Sequence, residues 1–150
     1  MTEGKPALSV QDLFAEKDAA LARKRAEEEA AAERKRQELK TFTEKVMTYK
    51  ITEEDKAHAI AKIRHAFEEG EKDVMIVSFP SDICTDNGRR IASRLEDWQE
   101  TLPGVLHDVY EWWRTELAPG GFTFGARIIN YPNGIPGDVG LFVGWPEREL

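Results

Sequence analysis

Between Ser9 and Thr48 the chain contains neither glycine nor proline. Alanine, glutamate, lysine, arginine and leucine fill the stretch, and these are strong helix formers, so it predicts one long uninterrupted helix. A helix of that length is normally held by an apolar stripe packed on a core, yet between Ala22 and Glu38 the apolar residues are the alanines Ala26, Ala30, Ala31 and Ala32. The middle of the helix therefore has nothing broad to bury and is expected in solvent. Its charges come in blocks that place Arg23/Glu27, Lys24/Glu28, Arg25/Glu29 and Arg34/Glu38 at i,i+4 spacing, each pair worth about 0.2–0.5 kcal/mol. Large apolar residues gather at the two ends, Leu13, Phe14 and Leu21 at one and Leu39, Phe42, Val46 and Met47 at the other. Those ends call for a partner, either another protein or a second copy, although the heptad pattern is weak.

The remainder has a different composition. Residues 1–50 carry 11 basic and 10 acidic side chains against 10 and 18 in residues 51–150, so the formal charge of -7 combines +1 in the first part with -8 in the second. All four tryptophans and six of the seven prolines also lie there. We expect a charged helical arm over 1–50, its first residues disordered, followed by a compact acidic α+β domain over 51–150. An acidic chain lacks the basic excess that a phosphate backbone attracts, which disfavours nucleic acid as a partner. The single cysteine, Cys84, can form no internal disulfide, and no start region reads as a targeting signal, so the expected location is cytoplasmic. The longest apolar run, Val74 to Val77, is far below the ~18 residues of a membrane span.

Periodicity gives the elements of the second part in the order αβααββ. Thr52 followed by Glu53, Glu54 and Asp55 reads as an N-cap and acidic first turn, with Gly70 as the stop. The stripe of that helix is expected at Ala57, Ile60, Ile63 and Phe67. Val74 to Phe79 reads as a strand buried on both faces, hence central. A helix with Ile91, Leu95 and Trp98 inward follows, then one from about Pro103 to Leu117, capped by Thr101, with Leu102, Leu106, Val109, Trp113 and Leu117 inward. The last stretch alternates. Phe122, Phe124, Ala126 and Ile128 form one strand face and Val139, Leu141, Val143 and Trp145 another, joined by a proline- and glycine-rich loop. The fold class is α+β: a small, mostly antiparallel sheet of about three strands with a C-terminal hairpin, packed with three helices and preceded by the long charged helix.

Two places could carry function. In Ser81 to Arg90, Cys84 and Arg90 stand at a spacing that resembles the Cys-x5-Arg motif of protein tyrosine phosphatases, which implies a thiolate nucleophile and an arginine holding phosphoryl oxygens. Thr85, Asn87, Gly88, Arg89 and Arg90 would then form the anion cradle. The stretch departs from the motif: no histidine precedes Cys84, the loop has one glycine, and Asp86 puts negative charge where phosphate would sit. Metal ligation is not expected, because glycine falls one place late for a calcium loop, and His58 and His65 are about 10 Å apart along a helix. No cofactor motif is present.

The other place is the outward face of the hairpin. With Val139, Leu141 and Val143 inward, Gly140, Phe142 and Gly144 face out, beside Arg127, Ile129 and Tyr131 of the partner strand. Aromatic and arginine anchors among small residues suit a binding surface, covered by the chain's own N-terminal helix or by an external partner. Trp112 is a second candidate anchor. The leading expectation is a non-enzymatic protein-binding or self-associating module. The alternatives are an anion-binding or phosphoryl-transfer enzyme using Cys84 and Arg90, and an acidic inhibitor that mimics nucleic acid.

Overall fold

The structure is a computed structural model that describes Gly4 and residues 6–148. Disorder at the very start is an expectation that falls mainly on residues outside the described ones. The chain divides into two compact units, Met1–Lys40 and Thr41–Leu150. Helix α1 spans Val10–Thr48, with the Ser9 hydroxyl accepting from the Asp12 N–H at 3.1 Å at its start. Within the first unit nearly every helical side chain is exposed. Among the described residues, the ion pair on the arm is Arg36 with Glu33, whose carboxylate also accepts from Gln37, rather than the four i,i+4 pairs expected. Residues 41–48 belong to the second unit, because Val46 is buried there and anchors the end of α1.

The second unit is α+β. After α1 come α2 (Glu53–Glu68), β1 (Asp73–Pro80), α3 (Arg89–Ala92), α4 (Gly104–Trp112), β2 (Thr123–Ile128) and β3 (Asp138–Gly144). All strand pairs are antiparallel, in the order β1-β3-β2, with β2 and β3 forming the hairpin. Thr52 caps α2 in a full capping box with Asp55. The helix closes on Gly70 at φ +81°, where Glu71 N–H donates to Ala66 O and Gly70 N–H to Phe67 O, the bonds of a Schellman motif.

Four local expectations are corrected. The central strand is β3, not β1: Val139, Leu141 and Val143 are fully buried, and their neighbours Gly140 and Gly144 are buried too. The apolar run of β1 is continuous because a bulge at Ile76 resets its alternation, placing Ile76 and Val77 both on the helix side while Met75 points out. On α2 the buried face is Ile63 and Ala66 with Ala59 beside them, while Ile60 and Phe67 stay exposed. Alanines at 59 and 66 allow a close approach that the larger residues would block. The helix expected through Ile91, Leu95 and Trp98 is a single turn, since Arg94 adopts φ +56° and Leu95 N–H closes onto Arg90 O at 2.9 Å.

The fourth correction concerns α4. Thr101 does not cap it; its hydroxyl donates to Trp98 O at 2.7 Å. The helix begins at Gly104, where φ is +52° and an added methyl would lie on the Val46 carbonyl, so only glycine lets the end of α1 cross so close. It continues as a π-helical turn over Trp113–Leu117. Trp112 joins Ile63, Leu117 and Val143 in the core, while Trp113 packs on Phe124 at 5.3 Å and donates to Phe122 O at 3.0 Å. Trp98 stacks on the same Phe124 ring at 5.8 Å. No helix among the described residues is long and apolar enough to cross a membrane.

Candidate functional site

The outward face of the sheet is built by register. Phe142 of β3 lies between Met75 of β1 and Gly125 of β2, and Gly140 lies between Ser78 and Arg127. A side chain at Gly140 would collide with the Phe142 ring at 2.7 Å, Met75 Sδ at 2.8 Å and Ile129 Cγ2 at 3.0 Å. The glycine is thus the floor on which those three apolar side chains meet. Arg127 is held from two directions. Its guanidinium carbon sits 3.6 Å above the Phe142 ring centroid, and its Nη1 donates to Asp73 Oδ2 at 2.9 Å. A cation over an exposed ring is worth about 0.5–1 kcal/mol, and a half-exposed ion pair adds about 0–1 kcal/mol, which together bias the side chain toward this rotamer.

Of the four residues expected on this face, the structure brings Phe142, Arg127 and Ile129 together. Tyr131 lies past the end of β2, where the chain turns through Pro132–Gly134, and is exposed. Met75, 38% exposed, belongs to the face and was missed. Its side is set by pairing with Phe142 across an edge strand that carries a bulge, which the apolar run itself does not announce. Trp112 is corrected outright, being 8% exposed and part of the core.

The stretch with Cys84 and Arg90 folds as a closed turn. A 3₁₀ turn over Ser81–Ile83 leads to Cys84, whose N–H donates to Ser81 O at 3.1 Å. Asp86 then spends its carboxylate on the backbone that follows, Oδ1 accepting from Gly88 N–H at 3.0 Å and Oδ2 from Arg90 N–H at 2.9 Å. Two amides of the expected anion cradle, those of Gly88 and Arg90, are thus bonded to the chain's own carboxylate, and those of Asn87 and Arg89 go to the carbonyls of Cys84 and Asp86. Thr85 N–H donates to Thr101 O at 3.0 Å, Asn87 and Gly88 take positive φ to make the turn, and Arg89 is exposed. Arg90 pairs with Asp97 at 3.4 Å. Burial pushes the Cys84 thiol up to about 11, a hydrogen bond with Thr101 opposing the shift and the Asp86 charge adding to it. A thiol in that state is protonated at neutral pH and is a poor nucleophile.

Chemically, the outer face offers an apolar floor and one guanidinium held by two contacts, which suits contact with a macromolecule. The turn at Cys84 offers a structural thiol. Compared with known protein families, curated proteins and solved structures, the chain matches none.

Proposed function

We propose that this chain is a non-enzymatic protein-binding module, and that the outward face of its sheet is the contact surface. The observation that carries this reading is the seating of Met75, Ile129 and Phe142 over Gly140 with Arg127 already held beside them by the Phe142 ring and Asp73. A side chain fixed before binding loses little rotamer freedom when a partner arrives, which is the condition that makes an arginine an effective anchor. The partner we infer is a protein and not nucleic acid, in keeping with the net charge of -7, and the unpaired Cys84 suits the reducing cytoplasm. Self-association is the second form of the same reading. It is favoured by the exposed strip of Leu13, Phe14 and Leu21 on the arm.

The test compares three immobilised proteins as bait: wild type, an Arg127→Ala/Ile129→Asp variant, and a Leu13→Asp/Phe14→Asp variant. Both substituted sites on the sheet are exposed, so the first variant should melt within a few degrees of wild type. A protein retained by wild type and by the arm variant but lost by the sheet variant supports the reading. Equal retention by all three sinks it.

A further inference from the structure

A cavity of about 390 Å³ opens between α2, α4 and β1, and neither the sheet face nor the turn at Cys84 accounts for it. We propose that it binds a single-chain amphiphile with an anionic head, of the medium-chain fatty-acid class. Its walls are Ile51, Ile76, Val105, Val109 and Trp112, all apolar and drawn from three separate parts of the chain. The volume falls inside the range of small-molecule pockets, and an apolar lining of this kind gives water few hydrogen bonds. An alkyl chain fits it better.

The rim selects the head group. Of its acidic residues, Asp55 is occupied by the Tyr49 hydroxyl and by Thr52 N–H at 3.0 Å. Glu54 stands in the first turn of α2, where the helix N-terminus favours its charge. Lys56 is engaged by Glu53 at 3.3 Å and by Glu116 at 3.8 Å. Lys62 has no ion pair or hydrogen bond among the described residues, and it lines the cavity one helical turn from His58. The mouth of an apolar cavity therefore carries an uncommitted cation, and an anionic head on an apolar chain meets both features at once.

The experiment is calorimetric titration of the full chain with decanoate, decanol and decylammonium, each below its aggregation threshold. Decanoate is expected to bind saturably at one site and more tightly than the other two. Lys62→Glu should weaken decanoate about tenfold and leave decanol unchanged, whereas Val109→Trp, which fills the cavity, should weaken both. Lys35→Glu on the arm serves as the charge control and should change nothing. The proposal is overturned if decanoate shows no saturable binding, if decylammonium binds as tightly, or if Lys62→Glu leaves the preference for decanoate over decanol intact. Uptake onto phosphatidylglycerol vesicles without saturable binding of the free acid also overturns it.

Discussion

The two units of this chain are ordered by different forces. In Met1–Lys40 the helix has no buried side chain, and its order comes from propensity, the Ser9 cap and one i,i+3 ion pair. In Thr41–Leu150 the order comes from burial, with Phe79, Leu106, Val139, Leu141 and Val143 essentially removed from water. Local terms add residue by residue, so a helix held by them melts gradually and can fray at either end. Burial is shared among distant segments, so a core held by it is lost all at once. Regular secondary structure in both units thus conceals unequal cooperativity.

The largest effect that would sharpen this contrast comes from the central strand. Leu141→Ala should lower the stability of the second unit by about 3 kcal/mol, read as a shift in the urea midpoint of tryptophan fluorescence, since all four tryptophans lie in that unit. A shift of comparable size in the arm's helical signal would break the contrast. A smaller effect concerns Cys84. Its folded thiol is raised from 9.0 to about 11, so between those two pH values the unfolded chain has released a proton that the folded chain retains. Stability should therefore fall as pH rises through that window, and Cys84→Ala should flatten the decline by roughly 2 kcal/mol. The smallest effect belongs to the arm. Ala26→Gly should cost about 1 kcal/mol of local helix stability, seen as reduced ellipticity at 222 nm, and leave the fluorescence transition where it was.

What the sequence disclosed follows the same division. The long helix, the Thr52 cap, the Gly70 stop and the hairpin alternation are local signals, and each was readable because the residues that cause it are neighbours. The faces of α2 and β1 were misread because they depend on distant partners. Ala59 and Ala66 outcompete Ile60 and Phe67 for the core only because β1 lies close enough to reward small residues. The bulge at Ile76 is defined by its pairing with β3, more than sixty residues on, so nothing in Val74 to Phe79 announces it. The stop of α3 at Ala92, followed by the left-handed Arg94, was hidden for a different reason, since a left-handed residue without glycine leaves no mark in the sequence.

The candidate site was legible to the same degree. Arg127, Phe142 and Ile129 share a face by alternation alone, and alternation predicted them. Met75 required the strand order, and the role of Gly140 as a floor required the side chains above it. The Cys84 turn shows the converse, where spacing suggests chemistry that the local geometry withholds, because Asp86 reaches the Gly88 and Arg90 amides first.

Residue-resolved amide hydrogen exchange tests the contrast between the units most directly. Amides of residues 14–40 should exchange through local opening, with low protection that urea barely changes, while those of Val139, Leu141 and Val143 should exchange only with global unfolding and lose protection steeply as urea is added. Protection in the arm equal to that of β3, with the same dependence on urea, would contradict the account.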